Sequence, residues 1–81
     1  MFLAKVYVTP KPAVNDPQGV TVHGALHSLG FAGVHQVRMG KYLEVQIDAP
    51  NQAAAAKQAE DMCRKLLANT VIENYRIEKV A

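Results

Sequence analysis

Two histidines, His23 and His27, stand one helical turn apart, the spacing at which two imidazoles can turn toward one metal ion. Residue 24 between them is glycine, so the His-Glu-x-x-His pattern that pairs a metal with a general base is absent. Both histidines fall about 100° or more from the centre of the helix's apolar stripe, which places them on a half-exposed flank or against another chain. His35 has no carboxylate or cysteine near it in sequence and reads as structural. Cys63, the single cysteine, lies beside a helical apolar stripe and reads as a small buried apolar residue. Ser28 is the only serine and lacks the strand-turn-helix setting of a nucleophile. Glycines 19, 24, 30, 33 and 40 have neither the Rossmann nor the Walker spacing, so no phosphate cradle is expected. No two carboxylates are placed to divide acid and base roles. By itself, the sequence offers no self-contained active site.

The elements that would carry these residues are legible from periodicity. Between Val34 and Asp48 two alternating runs meet at Gly40-Lys41. His35, Val37 and Met39 alternate with Gln36 and Arg38, and Leu43, Val45 and Ile47 with Tyr42, Glu44 and Gln46, which predicts a β-hairpin with one oily face. An earlier strand over Phe2–Thr9 points Phe2, Ala4, Val6 and Val8 to one side, and Pro10 and Pro12 end it by removing backbone donors. Asp16-Pro17 starts a helix whose buried face is expected to be Val22, Ala25, Leu26 and Leu29, with Gly30 as its left-handed stop. Gly24 weakens that helix, which suggests a close packing contact there. A long second helix is expected from a cap at Asp48 or Asn51 to about Leu67, with Ala55, Ala59, Met62, Cys63 and Leu66 as its apolar stripe. Glu60/Arg64 and Asp61/Lys65 form pairs on its solvated side, and Asn69 is its stop. A last strand follows over Val71–Val80. The order β-α-β-β-α-β predicts an α+β, ferredoxin-like antiparallel sheet with both helices on one face, formed by a single domain over residues 1–81.

Eighty-one residues bury only about 60% of their unfolded surface, so a partner chain is the expected source of extra stability. With one cysteine there is no internal disulfide to supply it. Nine basic and seven acidic residues are scattered along the chain for a net charge of +2, with only Arg64-Lys65 adjacent, which is no nucleic-acid stripe. Lys5 interrupts the first residues before a signal peptide can form, and nothing approaches a membrane span, so the expected compartment is the cytoplasm.

The sheet face away from the helices would gather Leu3, Lys5, Tyr7, Arg38, Tyr42, Glu44, Gln46 and Arg76. Tyr and Arg are the residue types that most often anchor protein interfaces, although an ordinary wet sheet face would also carry such residues. RNA recognition by that face fits less well, because Gly40–Val45 lacks the aromatic-rich motif and Glu44 would repel phosphate.

Several segments together resemble one family, the small S subunit (PurS) of phosphoribosylformylglycinamidine synthase. They are Lys5-Val6-Tyr7-Val8, Asp16-Pro17-Gln18-Gly19 with Ala25-Leu26-His27, Val37-Arg38-Met39-Gly40-Lys41-Tyr42, and Leu67-Ala68-Asn69-Thr70-Val71-Ile72-Glu73-Asn74-Tyr75. The alanine-rich start of the second helix is the least family-like part. The resemblance implies an oligomeric adaptor without catalytic residues, in a complex that converts formylglycinamide ribonucleotide, ATP and glutamine to the formylglycinamidine, ADP, phosphate and glutamate. It implies no cofactor in this chain, with ATP and Mg used by the large synthetase subunit. The implied partners are that subunit, a glutaminase subunit, and further copies of the chain as a dimer or tetramer. Tyr7, His27, Arg38, Lys41, Tyr42 and Arg76 are the candidate interface residues, with Arg38, Lys41 and Tyr42 grouped on the wet side of the hairpin. A stand-alone ligand-binding module of the ACT type shares the order of elements and remains the alternative. An acylphosphatase-like enzyme does so too, but Thr9-Pro10-Lys11-Pro12 lacks the donors its phosphate cradle requires.

Overall fold

Strand β1 (Phe2–Pro10) is the centre of the molecule in the computed structural model, which describes residues 1–81. It pairs antiparallel with β2 (Lys41–Ile47) on one side and β3 (Glu73–Val80) on the other, giving the order β2-β1-β3. The alternation in β1 works as its sequence predicts, with Ala4, Val6 and Val8 wholly buried. Above them lies α2 (Gln52–Met62), capped by the Asn51 side chain, which accepts from the Ala54 amide at 2.8 Å. The fully buried Ala55 and nearly buried Ala59 let the helix approach the sheet closely. Nine apolar residues make up the core, and four of them are alanines, so the chain alone buries little apolar area for its length. The architecture is α+β and ferredoxin-like, with three strands in the sheet.

The end of the second helix differs from the expected pattern. Cys63–Leu67 form a π-helical turn, closed by the Ala68 amide donating to the Cys63 carbonyl at 3.0 Å. One extra residue in the turn rotates the stripe. Leu66, expected inside, is 82% exposed, and Ala68 takes the buried position instead. Asn69 is not a left-handed stop, since glycine alone takes positive φ in this chain; its side chain accepts from the Val71 amide. The expected i, i+4 charge pairs are also replaced. Arg64 bonds Asp61 three residues back, and Glu60 accepts from the Tyr75 hydroxyl on β3.

The hairpin expected over Val34–Asp48 does not form. A two-residue hairpin turn needs positive φ, and only Gly30, at φ 97°, has it. Gly40 serves another purpose, because a Cβ there would stand 2.5 Å from the Val8 carbonyl oxygen. Residues 34–40 therefore do not fold back along β2. They pass the end of β1, where Arg38 Nη2 donates to the Pro10 and Lys11 carbonyls at 3.1 and 2.9 Å. On the β2 side the ladder ends at Val8 and Lys41, and Pro10 has no amide with which to extend it toward residues 34–40.

Helix α1 (Pro17–Ser28) forms where expected, with Asp16 as its cap and Gly30 just beyond its end in the left-handed conformation. Its packing is a correction. Gly19 is its one buried residue, while Ala25 and Leu29 are exposed and Val22 and Leu26 only half-buried. Gly24 has open space around it, not the close contact its cost suggested. The helix lies instead against residues 34–37, where a Cβ on Gly19 would stand 2.3 Å from the Val37 carbonyl oxygen. Together α1 and residues 34–39 form an arm that extends the molecule to 51 × 24 × 14 Å.

Candidate interaction surface

The sheet face opposite α2 has a compact aromatic and charged cluster that follows from the register. Tyr7 sits across from Tyr42 on one side and Arg76 on the other. The two tyrosine rings lie 4.9 Å apart at 36°, and the Arg76 guanidinium stands 4.6 Å from the centre of the Tyr7 ring, within cation–π range. The Tyr42 hydroxyl donates to Glu44 at 2.8 Å. That bond to an acceptor carboxylate pushes the Tyr42 pKa up to about 12. Tyr7 is raised too, chiefly by a hydrogen bond to Glu78, the residue added by a β-bulge opposite Lys5/Val6. The Tyr42 proton is thus committed to Glu44 and fixes the direction of the phenol. Rings fixed by neighbours lose little freedom on contact, as interface anchors require.

The other candidate residues lie elsewhere. Lys41 pairs with buried Val8 and so belongs to the α2 side of the sheet, where its ammonium lies 3.9 Å from Glu73. Arg38 is on the arm, bound to the backbone carbonyls of the last residue of β1 and the one after it. Arg38, Lys41 and Tyr42 consequently do not share the single wet face expected of a hairpin. His27 is on α1, where its Nε2 and that of His23 lie 2.8 and 3.1 Å from the Val34 carbonyl oxygen. A carbonyl only accepts, so each bond requires the proton on Nε2. The imidazoles hold the arm together, and no third metal-ligating side chain joins them.

Asp16 has a part beyond capping. One carboxylate oxygen accepts from the Gly19 amide at 3.0 Å, and the other from the Met39 amide at 2.7 Å. These two bonds, the Met39 bond first, lower its pKa. The Asp-Pro signal located the cap, but nothing in sequence spacing could tie it to a residue 23 positions away. Glu78 was missed for a similar reason, since a bulge is a property of strand pairing.

A family model described as "PurS: Phosphoribosylformylglycinamidine (FGAM) synthase" matches residues 3–81. The PurS subunit of Synechocystis is 52% identical over 80 residues, covering 99% of this chain and 80% of the relative, and that of Bacillus subtilis is 49% identical over 96% and 92%. The crystal structure of B. subtilis PurS superposes with a TM-score of 0.87 at 47% identity, covering 100% of this chain and 99% of the other. A chain of PurLQS from Thermotoga maritima matches with a TM-score of 0.83 at 28% identity over 98% of each. The interlocked strands, the arm and the segments around Tyr7, Asp16, Arg38 and Tyr42 thus lie within one end-to-end match: the chain belongs to the PurS family and is a subunit of the FGAM synthase of purine biosynthesis.

Proposed function

We propose that the chain is a non-catalytic adaptor, bridging the ATP-dependent synthetase subunit and the glutaminase subunit of the synthase as part of a homo-oligomer in the cytoplasm. The observation that carries this reading is the full-length match to a chain of the PurLQS structure. The Tyr7–Tyr42–Arg76 cluster supports it, as an exposed patch of the residue types that anchor interfaces. ATP, Mg and glutamine are used by the partner subunits. No helix of this chain is long and apolar enough to cross a membrane.

Reconstitution with the two larger subunits tests the proposal. The double variant Tyr42→Ala/Arg76→Ala should remain folded by circular dichroism yet fail to support assembly and glutamine-dependent synthase activity. Full assembly and activity from that variant would remove the cluster as the anchor. Glutamine hydrolysis or ATP consumption by the isolated chain, persisting through purification, would overturn the adaptor reading.

A further inference from the structure

Two imidazole nitrogens and one main-chain oxygen converge within the arm. His23 and His27 lie one turn apart on α1, with ring centres 4.5 Å apart. Both direct Nε2 at the Val34 carbonyl oxygen, at 3.1 and 2.8 Å. The Gly30 turn brings that carbonyl back over the helix, fixed by the Phe31 amide donating to Leu26 at 3.0 Å and the Val34 amide to Phe31 at 3.3 Å. Donor atoms that share one first-row cation, at bonds of about 2.1 Å, stand roughly 3.0–3.4 Å from each other between octahedral and tetrahedral angles. The two nitrogen–oxygen distances lie at the short end of that span, so a cation enters among the three atoms with displacements of at most about 0.6 Å.

As hydrogen bonds, both contacts place the ring proton on Nε2. Neither Nδ1 has a hydrogen-bond partner in the chain, so nothing in the fold locks that tautomer. When the proton of each neutral ring moves to Nδ1, the Nε2 lone pairs become ligands and no proton is gained or lost. His27 is exposed, and His23 borders a cavity of about 270 Å³ whose wall also carries Asp16, His35 and Arg38. Water reaches the remaining coordination positions from these two sides. Two imidazoles with a carbonyl and water suit zinc, nickel or cobalt, whereas magnesium prefers an all-oxygen shell.

We infer that His23 Nε2, His27 Nε2 and the Val34 carbonyl oxygen form a site for one divalent cation of the zinc class, which fastens α1 to residues 34–37. The third donor comes from the main chain, so no further metal-ligating side chain is needed. With no acceptor behind either ring to hold its orientation, the site binds reversibly and is not a permanently loaded structural centre. It lies away from the Tyr7–Tyr42–Arg76 cluster and stands independently of the adaptor reading.

Calorimetric titration of the untagged full chain with Zn²⁺ and with Mg²⁺ tests the site. One Zn²⁺ per chain should bind at micromolar concentration and raise the melting temperature, and Mg²⁺ should do neither. His23→Gln and His27→Gln each keep an N–H donor for the Val34 carbonyl, so the helical signal should hold while Zn²⁺ binding weakens about tenfold or more. His35→Gln should bind as wild type does, and Cys63 is wholly buried and does not compete. Nitrogen-15 NMR of the wild-type chain gives a readout that needs no variant, since Zn²⁺ should shift the ring nitrogens of His23 and His27 and leave those of His35 in place. Absence of Zn²⁺ binding at micromolar concentration overturns the site. So does binding that both α1 variants retain, binding that His35→Gln abolishes, or a spectrum in which only His35 responds.

Discussion

Gly19 and Gly24 lie in the same helix, and the structure predicts that replacing them with alanine has unequal effects. Alanine restores up to about 1 kcal/mol of helix preference at either position. At Gly24 nothing lies within 4 Å of the added methyl, so Gly24→Ala should retain most of that gain. At Gly19 the methyl would stand 2.3 Å from the Val37 carbonyl oxygen and 2.6 Å from Asp16 Oδ2. Both distances are far inside van der Waals contact, and Val37 is backbone, so the arm itself must move. Overpacking of this kind costs roughly 1–3 kcal/mol. Set against the helix gain, Gly19→Ala should range from neutral to about 2 kcal/mol destabilising, which leaves the two variants about 1–3 kcal/mol apart. For a domain of this length that is a melting-temperature gap of roughly 5–20 °C. Urea unfolding followed by circular dichroism should show the midpoint rising for Gly24→Ala and falling or holding for Gly19→Ala, with chain concentration matched because any self-association would make stability depend on it. Equal stabilisation by both variants would refute the close approach of α1 to residues 34–37, and with it the arm.

Val6→Ala, in the central strand at a wholly buried position, should cost about 2–3 kcal/mol, measured as a lower urea midpoint with unchanged slope. The Tyr42 phenol should titrate near pH 12 in ultraviolet absorbance, and Glu44→Gln should return it toward the usual tyrosine range near 10. Because the amides of Met39 and Gly19 lower the Asp16 pKa on folding, its carboxylate adds stability that is full above the ordinary aspartate value near 4 and fades as pH drops through the lower folded value. The difference in melting temperature between wild type and Asp16→Asn should therefore be constant from pH 6 to 8 and shrink below pH 4; a difference that stays constant into acid would contradict the Met39 bond.

Local chemistry was enough to place every regular element except one. The alternation of β1, the Asp16-Pro17 start of α1, the Gly30 stop and the Asn51 cap each depend on residues a few positions apart, and each forms as expected. The family too was legible, because its motifs are short runs read directly from the chain. Three features depended on contacts between distant segments. Residues 35–39 have the alternation of a strand, but whether an edge accepts them is decided by the ties at Arg38 and Met39, not by their own pattern. The apolar side of α1 is plain in sequence, yet periodicity says only that it seeks burial, not in which chain. At the end of α2 a single π turn exchanged Leu66 for Ala68, since one inserted residue rotates everything after it by about 100°. The Tyr7–Tyr42–Arg76 cluster lies between these cases. Alternation put its members on one face, but only the register of three strands set them side by side.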